Sequence, residues 1–230
     1  MEGTNSPTKE EAENILLWGH NKNPGAWSDH SKVVAKTAEK IAVQCNLNGN
    51  KAYTLGLLHD IGRYEGVTGL RHIFAGFNLM NEKGYIDNAR ICLTHSFPVK
   101  NINSFNGIND CTKEETAEIK KELKKYEYND YDRLIQLCDS ICMAEGVCLL
   151  EIRLIDVARR YNTYNKNILK KWNAFFEIKN YFDNKCGMNI YGLFYEEIIK
   201  TSILREMKFE IKLTQMGLSL LKKNIHHSIL

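Results

Sequence analysis

The chain has 230 residues, 43% hydrophobic and 26% charged, the composition of a folded protein rather than a disordered one. Lys and Arg number 31 against 28 Asp and Glu, and a net charge of +3 excludes nucleic-acid binding through bulk charge. No stretch reaches about 18 apolar residues without charge, the best being broken by Glu145, Glu151, Arg153 and Asp156, so no membrane span is expected.

Helical spacing runs through almost the whole chain and strand-like alternation is nearly absent, so the predicted class is all-α. Ser6-Pro7 is the expected start of a first helix reaching about Trp18. Ser28 is the expected cap of a second, whose Val33, Val34, Ala38, Ile41 and Ala42 form an apolar stripe. Asn50 is the expected cap of a third, ending near Asp60 and before Gly62. A fourth is predicted from about Leu70 to Glu82, and a fifth from Asp87 to about His95. Ser96 to Cys111 is rich in Asn and reads as a long loop. Thr112 and Glu115 make a capping box for a charged helix to about Tyr126. Asn129 or Asp130 opens the next, through Leu134, Ile135, Cys138 and Ile141. From about Val147 three further helices are predicted, broken near Asn162 and Gly187. The whole is expected to be one all-helical domain over 1–230.

Seven cysteines, an odd number with no Cys-x-x-Cys pair, follow an amino terminus without a basic-then-apolar leader. That pattern predicts reduced thiols in a cytoplasmic protein.

Metal-ligating residue types fall on these helices in a definite order. His30 lies early in the second, His59-Asp60 ends the third, His72 lies in the fourth, His95 ends the fifth, and Asp139 is mid-helix. His30 shares a face with Val33, Val34 and Ile41, and Asp139 with Ile135, Cys142 and Met143. A carboxylate on an apolar face is costly unless paired, hydrogen-bonded or metal-bound. A lone His on such a face is more often a satisfied core residue than a ligand; the ordered set is far more specific. His20, His226 and His227 fall outside the set and are expected to face solvent.

With these residues in view, the chain resembles the HD-domain superfamily of metal-dependent phosphohydrolases. Asp29-His30-Ser31 with Val34-Ala35 is similar to its first segment, Leu57-Leu58-His59-Asp60-Ile61-Gly62-Arg63 to its signature, and Leu137-Cys138-Asp139-Ser140 to its last. His72 with Gly76, and Thr94-His95-Ser96-Phe97, match the optional histidines of the subgroup that can hold two metals. The resemblance covers about 26–145; the helices of 147–230 lie beyond it.

The resemblance implies a helical bundle in which His30, His59, Asp60 and Asp139 hold one divalent ion (Mn, Fe, Co, Ni, Zn or Mg). His72 and His95 leave room for a second. Bound metal would lower the pKa of a water and polarise a phosphoryl oxygen. It implies a hydrolase acting on a small phosphorylated compound, a nucleotide above all, with no nucleic-acid or membrane partner. The chain is far shorter than the large multimeric triphosphohydrolases of the superfamily and lacks the Gly-Tyr-Pro element of its cyclic-dinucleotide branch. A mono-, di- or dinucleoside-polyphosphate substrate is therefore expected. Arg63, three residues beyond Asp60, is the expected phosphate contact beside Asp60 as catalytic group. Arg71, Lys100 and Arg133 are weaker candidates. Tyr64, Phe97 and Phe105 suit a core or a base stack, the core more. Two alternatives share the scaffold: a di-iron oxygenase, which resembles the same six-ligand pattern, and a non-catalytic ligand-binding domain.

Overall fold

Residues 5–161 and 167–203 are described in the structure, a computed structural model. The helices are α1 (Lys9–Lys22), α2 (Ala26–Gln44), α3 (Gly49–Leu58), α4 (Arg71–Glu82), α5 (Ile86–Thr94), α6 (Lys113–Lys125), α7 (Asp130–Ile141), α8 (Leu150–Tyr161) and α9 (Ile168–Cys186). Short 3-10 turns occupy Ile61–Glu65, Ile102–Ser104 and Ile190–Phe194. Residues 195–203 are again helical, and the expected helix beyond about 205 lies outside the described residues. The class is all-α as predicted, apart from a two-stranded hairpin of β1 (Cys142–Met143) and β2 (Gly146–Val147). Among the described residues no helix is long and apolar enough to cross a membrane.

Capping explains where the helices begin, and where the expected starts were displaced. Thr8, not Ser6, caps α1, because Thr8 and Glu11 exchange hydrogen bonds in a capping box. Ser6 instead donates to Asp87 at 3.3 Å. Thr112 and Glu115 open α6 as read, and Asn129 with Asp132 opens α7. Asn48 rather than Asn50 caps α3. Ser28 lies inside α2, where its hydroxyl donates to the Gly25 carbonyl and accepts from His20 Nδ1 at 2.8 Å. His20 is therefore half-buried and hydrogen-bonded, not solvent-facing. His226 and His227 lie outside the described residues.

Two hydrophobic cores share α2 and α3. The first gathers Val34, Ala38 and Ile41 of α2, Leu55 of α3, Leu134 and Ile135 of α7, and Phe175, Ile178 and Phe182 of α9. The second gathers Leu57 and Leu58 of α3, Ile73 and Met80 of α4, Leu93 of α5 and Phe97 just beyond it, and Ile119 and Leu123 of α6. Leu55 and Leu57–Leu58 point to different cores, so the residues that follow α3 emerge between them. A buried ion pair adds direction: Arg90 of α5 grips Asp132 of α7 through Nε at 3.0 and 3.1 Å, and Thr94 donates to the same carboxylate at 2.8 Å. It ties the helix ending at His95 to the helix carrying Asp139.

The expectation that every thiol is reduced is corrected. Cys45, just past α2, and Cys186, at the end of α9, are joined with S–S 2.07 Å. They stand 141 residues apart in sequence and only the packing of α2 and α9 on one core brings them together. Cys92, Cys111, Cys138, Cys142 and Cys148 are free thiols.

Candidate metal centre

Helix ends deliver the imidazoles. The last carbonyls of a helix lack intrahelical partners, and a His just past the end can use one. His59 follows α3 and its Nδ1–H donates to the Gly56 carbonyl at 2.7 Å. His95 follows α5 and donates to Cys92 O at 2.9 Å. His72, near the start of α4, donates from Nδ1 to Gly69 O. In all three the acceptor lies three residues back. That bond fixes the tautomer, so each Nε2 carries its lone pair inward, as in a metal-ligating histidine.

The inward atoms converge. His59 Nε2 is 3.9 Å from Asp60 Oδ2 and 3.8 Å from Asp139 Oδ1. His72 Nε2 is 3.2 Å and His95 Nε2 3.5 Å from Asp60 Oδ1. His30 Nε2 meets Asp139 Oδ1 at 3.0 Å. Three interlocking sets have ligand atoms within 4.8 Å of one another: His30, His59 and Asp60; His59, His95 and Asp139; Asp60, His72 and His95. All six residues singled out from the sequence as ligands are thus brought together. The sets overlap: His59, Asp60 and His95 each belong to two of them.

These residues fit a divalent ion. Among the described residues, His59 Nε2 and His72 Nε2 are buried with no hydrogen-bond partner. Orphaned buried nitrogens are costly, and a cation accepting their lone pairs removes the cost. Imidazole nitrogen with carboxylate oxygen suits ions of intermediate hardness. The cluster opens at one end: the Asp139 side chain keeps 25% of its surface, against 8% for Asp60. Asp139, His30, Arg63 and Phe105 line a cleft of about 1290 Å³.

Protonation follows from burial and charge. Burial pulls the His59 imidazole down to about 4, although Asp60 and Asp139 oppose it. Burial and then the Arg63 charge lower His72 as well. Burial raises Asp60, but Arg63, His72 and His59 outweigh it and hold the carboxyl well below its usual range. Asp139 is likewise lowered, burial being overcome by the His30 hydrogen bond and by His59 and His30.

The signs separate two pH ranges for protein stripped of metal. Below about pH 6.5 the unfolded chain takes up protons that folded His59 and His72 refuse, so stability falls as pH drops toward about 4. The carboxylates stabilise the fold above their unfolded values near 3.8, and that contribution is lost only at lower pH. Urea unfolding of chelator-treated protein should therefore weaken between pH 6.5 and 4.5, by about 1.4 kcal/mol per pH unit from His59, with His72 acting in the same direction. A flat profile over that range would contradict neutral imidazoles.

Arg63 Nε donates to Asp60 Oδ2 at 2.6 Å, and the side chain lines the cleft. Arg71 is engaged by Glu65 and Glu115 and Lys100 by Glu127, while Arg133 stacks on Tyr181. Phe97 is core, while half-buried Phe105 lies 6.2 Å from the His72 ring and at the cleft wall. The 96–111 loop supports the site in a way its composition did not announce. Asp110 accepts from the Gly69 and Arg71 amides, and Ile108 O from Leu70 N, which fixes the start of α4 and with it His72. Sequence reasoning also passed over Lys171 and Arg153, which line the same cleft from α9 and α8. The HD domain family model matches residues 27–144. Neither a curated protein nor a solved structure matches the chain.

Proposed function

The chain belongs to the HD-domain family, and from that premise we propose that it is a metal-dependent phosphohydrolase acting on a small phosphorylated compound, most naturally a nucleotide. The observation that carries the reading is the convergence of four imidazoles and two carboxylates at the floor of a cleft with room for a small molecule. The chemistry a divalent ion supplies when bound is polarisation of a phosphoryl oxygen and acidification of a water.

The protein's own groups do the rest. The backbone carbonyls behind His59, His72 and His95 hold the rings in one orientation. Asp60, anionic at neutral pH, brings negative charge to the middle of the cluster and is steadied by Arg63. Arg63, its Nε on Asp60 and Nη1 on Thr68 O, lines the cleft and keeps its remaining N–H groups for a phosphoryl oxygen that gathers charge during transfer. His30, bonded to Asp139, forms the open edge.

The test is metal analysis of purified protein, with a phosphate-release screen over nucleotides and sugar phosphates. Metal-dependent release is the expected result, and a metal-loaded protein inert toward all of them counts against the reading. The six-ligand cluster is also what a di-iron oxygenase would need. Oxygen uptake by iron-loaded protein without phosphate release would favour that chemistry instead.

Arg63→Ala is expected to keep fold and bound metal while turnover falls by roughly 100-fold. Arg63→Lys should recover little, because an ammonium cannot hold Asp60 and a phosphoryl oxygen in one plane. A drop in melting temperature with normal turnover would reduce Arg63 to a structural partner of Asp60.

A further inference from the structure

Lys171 opens the apolar stripe of α9, followed at helical spacing by Phe175, Ile178 and Phe182. It retains 5% of its surface, and its ammonium stands 5.9 Å from the Phe175 ring centre. Among the described residues no carboxylate lies within ion-pairing distance of it. A buried cation without a counter-ion is costly to maintain unless a ligand supplies the charge. Burial lowers Lys171 to about 8, with Asp139 opposing, so at neutral pH it remains largely a cation.

Two further donors stand in the same cleft. Arg153 of α8 touches Asp156 through one terminal nitrogen at 3.5 Å, and its Nε is buried without a hydrogen-bond partner. Thr201 is buried with Oγ1 unpartnered. All three residues line one cleft, and an ammonium, a guanidinium and a hydroxyl are groups that suit the oxygens of a tetrahedral anion. All three lie beyond the matched segment 27–144. The cleft of about 1290 Å³ exceeds what a single phosphoryl group at the cluster would fill.

We propose that Lys171, with Arg153 and Thr201, forms a subsite for a second phosphate of the substrate, which makes this chain selective for oligophosphates over monophosphates. The substrate assignment rests on the phosphohydrolase reading above; the subsite itself does not. The reacting phosphate lies at the His/Asp cluster, and the remote one neutralises Lys171.

The experiment has a binding arm and a kinetic arm. In the first, inorganic pyrophosphate and orthophosphate are titrated calorimetrically into chelator-treated full-length protein, wild type and Lys171→Met. Pyrophosphate should bind wild type and weaken about 30-fold in the variant, the worth of one charge-assisted contact. In the second, ADP and AMP are compared as substrates of metal-loaded protein. Lys171→Met should raise KM for ADP by a similar factor, leave kcat within about twofold and leave AMP unchanged, while Lys171→Arg stays near wild type. Melting temperature should not fall, since Met removes an unpaired buried charge. If Lys171→Met does not fold, Arg153→Met takes its place in both arms. Equal pyrophosphate affinity in wild type and variant, or none in wild type, overturns the subsite. No phosphate release from either nucleotide, with pyrophosphate binding still dependent on Lys171, overturns the hydrolase reading and leaves the subsite standing. An equal KM rise for ADP and AMP overturns the selectivity.

Discussion

Asp60→Asn should abolish tight binding of divalent metal and reduce turnover by well over 100-fold. Asp60 belongs to two of the three ligand sets and lies between His59, His72 and His95. Losing an outer partner of a metal ligand typically lowers affinity or activity by about 10- to 100-fold, so removing a ligand's charge where two sets meet should exceed that. The change keeps shape and volume, which separates charge from packing. It also leaves Arg63 facing a neutral amide in place of the carboxylate it now holds at 2.6 Å. Asp139→Ala should likewise abolish tight metal binding, since it removes the carboxylate that meets His30 at 3.0 Å and His59 at 3.8 Å. Metal content by atomic emission, with turnover on the same preparations, tests both. An Asp60→Asn protein retaining full metal would place the ion elsewhere.

Gly62→Ala is expected to cost at least about 3 kcal/mol of stability and to disturb His72 before any chemistry is considered. A Cβ at position 62 would stand 1.9 Å from His72 O and 2.5 Å from Gly76 N. Both obstacles are backbone, so α4 itself would have to move. Gly76→Ala is the natural comparison, because its Cβ would meet Cys92 Sγ at 3.1 Å and Cys92 Cβ and Gly62 N at 3.2 Å, contacts that are tight but need only a small shift. It should cost about 1–2 kcal/mol. Denaturant unfolding of the two variants, with metal stoichiometry, checks the contrast. Equal costs would mean that the glycine is not required by the approach of the 3-10 turn to α4.

The convergence of the candidate ligands could be read from the sequence because their placement is local. His59 and His95 each end a helix that stops for its own reasons, and each finds its anchoring carbonyl three residues back. Arg63 was legible as a residue near the site, but its partner was not, because Glu65, two residues on, and Asp60, three residues back, are both within reach of its side chain. Glu65 goes to Arg71 instead. Lys171 shows the limit of composition: it occupies the first position of a good apolar stripe and reads as a solvated charge at a helix start. Only the cleft shows that it is inside. Asp132 lies in the first turn of α7, and its grip on Arg90 of α5 depends on a helix about forty residues earlier, which local sequence does not announce. The Cys45–Cys186 pair lies beyond sequence reading for the same reason.

That covalent pair also sets a lever. Cys186 fixes one end of α9 to the end of α2, while Lys171 lies fifteen residues away at the other end, roughly 22 Å along the helix axis. Rotation of α9 about the sulfur link by only ten degrees would sweep the ammonium by roughly 4 Å at that radius, enough to bring it into or out of reach of an anion. Along α9 the first core is met by Phe175, Ile178 and Phe182, with Trp172 and Phe176 packed against it nearer the far end. The wall of the cleft that carries the buried cation is thus aimed by apolar packing at long radius, and small changes in that packing are magnified where the charge sits.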